Sequence, residues 1–172
     1  VLEPIASSLA VLDDEALEAG VALVDIGGGT TDIAVFKEHI IRHTSVLPLA
    51  GNAITSDIKD SCIVMPKQAE ALKVRFGSCM PSQVSEDDYV SIPVYKNAPD
   101  REISIRTLAQ IIKERTQTIL EQVDYEIQQS GYGKKLIAVL VLTGGGANLK
   151  NIKELAAFIT GMDTRVGQPD ER

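Results

Sequence analysis

Positive charge is in short supply in this sequence. Its 172 residues carry 17 Lys and Arg against 24 Asp and Glu, a formal net charge of −7, with an isoelectric point near 4.8. A nucleic-acid binder needs a basic face to meet phosphates, so the composition argues against that partner. Long apolar runs are missing as well. The longest, Leu136 to Leu142, falls far short of the roughly 20 residues that span a bilayer, and no secretory apolar core opens the chain. Cysteine is scarce: Cys62 and Cys79 form no C-x-x-C pair, and His39 and His43 are the only histidines. Structural zinc wants four clustered ligands, so two reduced thiols are expected. There is no internal repeat or low-complexity tract. An initiating methionine is lacking too, and Val1-Leu2-Glu3-Pro4 reads as sequence from inside a longer protein, so a fragment is expected.

What is present suffices for a core. With 44% hydrophobic and 24% charged residues, the chain is globular rather than disordered, and its length suits one domain with a smaller insertion. Apolar spacing predicts a helix over Glu3 to Leu12, followed by an acidic stretch from Asp13 to Glu18. Three strands follow: Val21 to Ile26, apolar enough to be covered on both faces, then Thr31 to Phe36 and Ile40 to Leu47. The Gly27-Gly28-Gly29 turn predicts an antiparallel hairpin at the start of a mixed sheet. Helices are predicted over Asn52 to Ile63, with Cys62 or Ile63 inward, and from Pro66 to Phe76, closed by Gly77. The polar stretch Met80 to Asp100 reads as loop and hairpin, with one strand at Tyr89 to Val94. Ser104 is the expected N-cap of a long helix that stops near Gly131. A buried strand at Leu136 to Leu142, a helix at Leu149 to Ile159 and a short strand at Arg165-Val166 complete the order. The expected division is a sheet subdomain of residues 1–50 and 111–172 interrupted by a smaller insertion of residues 51–110.

Two glycine loops carry the chemistry. In Asp25-Ile26-Gly27-Gly28-Gly29-Thr30-Thr31, glycine amides can approach phosphate oxygens with no Cβ in the way, and two hydroxyls follow. Asp25, at a strand end, could serve Mg²⁺ through water. The alternative is an ordinary glycine hairpin. No Lys-Ser/Thr pair follows, so this is not a P-loop, and Asp32 stands where a dinucleotide fingerprint wants its third glycine. In the second loop, Thr143-Gly144-Gly145-Gly146-Ala147-Asn148 follows an apolar strand. A helix directly after it would present free amides to an anion or close backbone to a nucleobase. Glu70 and Lys73, at i, i+3, read either as an exposed ion pair worth under about 1 kcal/mol or as partners for ribose hydroxyls and a base edge.

These residues resemble a known family. Gly20 to Val35 resembles the second phosphate motif of the actin-like ATPases, and Val141 to Leu149 resembles their adenosine motif. Leu2 to Ser7, Ile54-Thr-Ser-Asp-Ile58, Ala69-Glu-Ala-Leu-Lys73 and Arg165-Val-Gly-Gln-Pro169 bring it nearest to the FtsA family of bacterial cell-division proteins. The resemblance implies an α/β fold, the carboxy-terminal lobe of an actin-like ATPase (ribonuclease H-like), with an inserted α+β subdomain. It implies ATP and Mg²⁺ as ligands. Gly27, Gly28, Gly29, Thr30 and Thr31 would meet the phosphates, with Asp25 serving the metal or its water. Gly144, Gly145 and Gly146 would lie along adenosine, with Glu70 and Lys73 over ribose and base. It further implies self-association into filaments, contact with FtsZ and other divisome proteins, and a place at the cytoplasmic face of the inner membrane at the division site. Membrane contact would run through a C-terminal amphipathic helix that this sequence does not contain. Hydrolysis would be slow at most in the intact protein, and none is expected of this chain alone. The rival readings are another actin-like ATPase, in a shape-determining filament or in pilus assembly, a Rossmann-like nucleotide-dependent enzyme, and an interaction module with relic glycine loops.

Overall fold

A computed structural model describes residues 6, 10–93, 95–133 and 139–167. Most of the helix expected over Glu3 to Leu12, the first residues of the strand expected from Leu136, and Val94 lie outside the described residues.

The acidic stretch is a short helix, α1 (Asp14–Ala19), which the sequence reading left unassigned. Asp13 caps it by accepting the Ala16 amide at 2.8 Å, and the early carboxylates favour the positive end of the helix dipole. Next come β1 (Val21–Ile26), β2 (Thr31–Lys37) and β3 (Ile40–Leu47), antiparallel in sequence as the glycine turn demands. The β2–β3 turn places Glu38 and His39 at φ 53° and 61°. Their amides donate to the Glu18 and Leu17 carbonyls, which offsets the strain of two left-handed non-glycine residues. Later strands β6 (Leu140–Thr143) and β7 (Thr164–Val166) add in parallel, so the sheet order is β3-β2-β1-β6-β7.

β1 is apolar except for Asp25 because both faces are covered. Ala22, Val24 and Ile26 enter the main core, while Val21 and Leu23 join a second cluster with Ala16, Phe36 and Val141. The main core is filled by helices α2 (Gly51–Cys62), α3 (Pro66–Phe76), α4 (Ile105–Gln129) and α5 (Ile152–Thr160). Cys62 faces inward, whereas Ile63 is 66% exposed and ends α2 in the left-handed region at φ 53°. A small hairpin, β4 (Tyr89–Ile92) with β5 (Arg101–Ser104), precedes α4; β5 has no counterpart in the sequence reading. Ser104 caps α4 as expected, its hydroxyl accepting the Thr107 amide at 3.2 Å. Arg115 on α4 grips Asp57 on α2 with two bonds of 2.6 and 2.9 Å. This helix runs unbroken through residues 110 and 111, and Ile54, Leu72, Ile103 and Leu108 share a core cluster with the sheet residues.

One helix starts later than its periodicity suggests. Gly145 to Asn148 form a 3₁₀ turn, and α5 begins at Ile152 rather than Leu149, after Asn151 in the left-handed region at φ 66°. The second glycine loop is therefore not the N-terminus of an α-helix, and the expected free helix-end amides are not what it offers. Among the described residues no helix is long and apolar enough to cross a membrane.

Candidate functional site

The two glycine loops meet because β1 and β6 are parallel neighbours, with Asp25 opposite Thr143. Both loops leave the carboxyl ends of their strands on the same edge of the sheet, the usual place for a ligand in an open α/β sheet. Gly144 sits at φ 86° and ψ 175°, and a Cβ there would press on Asp25 Oδ1 and lie 2.6 Å from the Ile26 carbonyl oxygen. Gly146 lies against the Ile26 side chain, whereas a Cβ on Gly145 would meet nothing within 4 Å. So Gly144 shapes the loop and Gly145 faces open space.

In the first loop the carbonyls are already committed. The Gly51 amide donates to Gly27 O at 3.0 Å and the Asn52 amide to Gly28 O at 2.7 Å, so the first turn of α2 holds the loop from behind. Every described peptide is trans, which sets N–H opposite C=O across each peptide plane. The Gly28 and Gly29 amides therefore point away from α2, as donors for an anion.

A second wall is built by α3, with Thr55 of α2 behind it. Lys73 Nζ lies 2.9 Å from Glu70 Oε2, donates to the Thr55 hydroxyl at 2.8 Å, and donates to the Gly51 carbonyl at 3.2 Å. The Thr55 hydroxyl in turn donates to Glu70 Oε2 at 2.6 Å. Burial pushes the Glu70 carboxyl up, but the Thr55 and Lys73 hydrogen bonds and the Lys73 charge outweigh it and hold it below the ordinary glutamate range. The Lys73 side chain is only 13% exposed and that of Glu70 50%. This is more than the simple surface ion pair that i, i+3 spacing suggests.

Between these walls lies a cleft of about 400 Å³, a size that takes a small-molecule ligand. Gly27, Gly28, Glu70, Lys73, Gly145 and Gly146 all line it, so the structure brings both loops and the α3 pair together. Gly29 and Thr30 are exposed at the tip of the first loop, outside the lining. Thr31 does not belong with them. It is 0% exposed and donates its hydroxyl to the Leu49 carbonyl at 2.8 Å, so its role is internal. Gly144 is likewise a supporting residue rather than a lining one. Asp25 is half-buried beside Gly144, behind the lining. Among the described residues no three His, Cys, Asp or Glu side chains gather as metal ligands. A single carboxylate fits a water-mediated metal contact and not a direct chelate.

Asn148 and Leu149, the end of the second motif, also line the cleft, as do Asn52 and Val74, which the sequence reading missed together with Thr55 behind Lys73. Asn52 and Thr55 lie on either side of Ile54 in a stretch whose apolar spacing predicts only an amphipathic helix. Nothing in that periodicity marks them.

A sequence profile described as cell division protein FtsA matches residues 22–172. The cell division protein FtsA of Pseudomonas aeruginosa is 38% identical over 169 residues, which is 98% of this chain and 40% of that protein. Its counterparts in Escherichia coli K12 and Neisseria meningitidis serogroup B are 40% and 39% identical over 172 residues, spanning 96% and 99% of this chain and 41% and 42% of theirs. The chain thus spans about two fifths of the length of the relatives it matches. Among solved structures, MreB5 of Spiroplasma citri bound to ADP aligns over 94% of this chain and 53% of its own, with a TM-score of 0.75 at 22% identity. A PilM–PilN type IV pilus biogenesis complex aligns over 95% and 38%, with a TM-score of 0.66 at 17% identity. At those identities the likeness is one of fold, and the fold is the actin-like α/β lobe.

Proposed function

Because this chain belongs to the FtsA family of cell-division proteins, we propose that its cleft is the carboxy-terminal half of an ATP site in an actin-like scaffold. The observation that carries this reading is the convergence of two glycine loops, from adjacent parallel strands, on the Glu70–Lys73 wall. The amides of Gly28 and Gly29, with Thr30, would take the phosphates, Gly145 and Gly146 would lie along the adenosine, and Glu70 and Lys73 would close over ribose and base. Asp25 would hold Mg²⁺ through a water, and the ion would offset phosphate charge there. Support for the ligand class comes from the ADP-bound MreB5 structure, which shares this fold.

Residues 51–110 would form the smaller inserted subdomain. The intact protein would use nucleotide for assembly into filaments. It would tether FtsZ to the cytoplasmic face of the inner membrane at the division site, through a C-terminal helix and with other divisome partners. Positioning a water on the γ-phosphate needs a base and a clamp. Only Asp25 and the threonine-bearing loop are available for these roles among the described residues, so we expect no turnover from this chain alone. Identities of 38–40% with FtsA proteins, against 22% with MreB5, favour cell division over the shape-determining reading.

The test is ATP titration of the full-length protein by calorimetry, with Gly28→Leu and Gly145→Leu beside the unsubstituted form. Each substitution is expected to weaken ATP by more than about tenfold, or about 1.4 kcal/mol. Absence of binding by the unsubstituted protein, or unchanged affinity in both variants, overturns the reading.

A further inference from the structure

Thr55 lies on α2, one turn beyond the residues that hold the first glycine loop, and does not line the cleft. It nonetheless bonds both charged residues of the α3 wall. Its hydroxyl accepts from Lys73 Nζ and donates to Glu70 Oε2, and Lys73 continues to the Gly51 carbonyl. The amide of the same Gly51 donates to Gly27 O. One connected set of hydrogen bonds therefore runs from Glu70 through Thr55 and Lys73 to the phosphate loop, with the peptide units of Gly51 and Asn52 as the link. A hydroxyl can serve as the hub because it accepts from the ammonium and donates to the carboxylate at once. Hydrogen bonds to charged partners are the strong ones.

We propose that Thr55 is a positioning residue that sets Glu70 and Lys73 for the sugar and base end of a nucleotide. The proposal rests on the nucleotide reading of the cleft. Without the hydroxyl, Lys73 keeps Glu70 and Gly51, but the carboxylate loses its only uncharged donor in this set and the two side chains are no longer held in one geometry. The phosphate loop keeps its own bonds to Gly51 and Asn52. The loss should therefore fall on ligands that carry a nucleoside and spare those that are phosphate alone.

The experiment titrates the full-length protein with ATP and with inorganic tripolyphosphate, in the unsubstituted form and in Thr55→Val, Thr55→Ser, Glu70→Gln and the Thr55→Val/Glu70→Gln double variant. Thr55→Val, nearly isosteric, is expected to lose about tenfold in ATP affinity, to keep tripolyphosphate affinity within about twofold, and to recover with serine. The acid limb of ATP affinity should also move to higher pH in Thr55→Val, since the carboxylate loses a hydrogen bond that favours its charged form. The double variant should lose less than the sum of the single losses. ATP affinity unchanged in Thr55→Val, a serine variant as weak as valine, or additive losses would each overturn the proposal. Absence of ATP binding by the unsubstituted protein would overturn the nucleotide reading instead, and the proposal with it.

Discussion

Gly144 and Gly145 are neighbours in one loop and should respond in opposite ways to the same methyl group. At Gly144 the backbone is at φ 86° and ψ 175°, a region essentially closed to residues with a Cβ, where occupancy costs of order 1–3 kcal/mol. The added Cβ would also overlap Asp25 Oδ1 and stand 2.6 Å from the Ile26 carbonyl oxygen. The Ile26 carbonyl cannot retreat easily, because it is backbone of the central strand β1. Relieving such overlap in packed surroundings costs roughly another 1–3 kcal/mol. Gly144→Ala should therefore lose about 3 kcal/mol, or about 6–12 °C in melting temperature for a chain of this size. At Gly145 a Cβ meets nothing within 4 Å and φ is not in the left-handed region. Alanine there should leave stability within about 0.5 kcal/mol, or raise it slightly by restricting the unfolded chain. Urea denaturation of both variants, followed by far-ultraviolet circular dichroism, gives the two differences directly. A Gly144→Ala loss below about 1 kcal/mol, or equal losses at the two positions, would refute the assignment of one glycine to the loop's shape and the other to its open face.

Thr31→Val removes the hydroxyl that donates to the Leu49 carbonyl and leaves that oxygen without it, while keeping the shape of a fully buried side chain. It should cost about 1–3 kcal/mol in urea denaturation yet leave ATP affinity within about twofold; a large affinity loss with unchanged stability would return Thr31 to the phosphate site. Burial pushes the Cys79 thiol up to about 12, against a weaker opposing hydrogen bond with Thr116. The unfolded thiol ionises first as pH rises, so the folded state alone keeps its proton between roughly pH 9 and 12. Stability should therefore fall through that window by up to about 1.4 kcal/mol per pH unit. Denaturant melts across the window should show this slope, and Cys79→Ala should remove it. An identical slope in Cys79→Ala would sink the assignment.

Much of the frame was legible from residue type and period. β1 is readable as a strand covered on both faces because its residues up to Asp25 are apolar at odd and even positions alike, and the structure gives each set its own cluster. Pro66 and Gly77 mark the ends of α3, since each excludes the helix from continuing past it. The glycine loops were legible as loops but not in the division of labour within them. A run of three glycines does not say which one needs an unusual φ and which one leaves room. Paired threonines likewise conceal that Thr31 points inward, because the first residue of β2 takes its direction from register with β1. The delayed start of α5 follows from the 3₁₀ turn, which uses residues with helical apolar spacing before the helix proper. Thr55 falls within the Ile54–Ile58 motif, but its contacts were out of reach. Its partners lie 15 and 18 residues away on another helix, and only the packing of α2 on α3 joins them.

The 25 residues of α4 have a mechanical consequence. At 1.5 Å per residue the helix is a strut of about 37 Å. One end begins at Ser104, directly on the β4–β5 hairpin. Near the other, Glu126 lies 3.8 Å from His43 on the edge strand β3. No proline or glycine interrupts it, so it has no hinge in which a bend would collect. A rod without a hinge acts as a lever. A tilt of about 5° at its seat on the sheet would carry the hairpin end through about 3 Å, the product of that angle and the length of the strut.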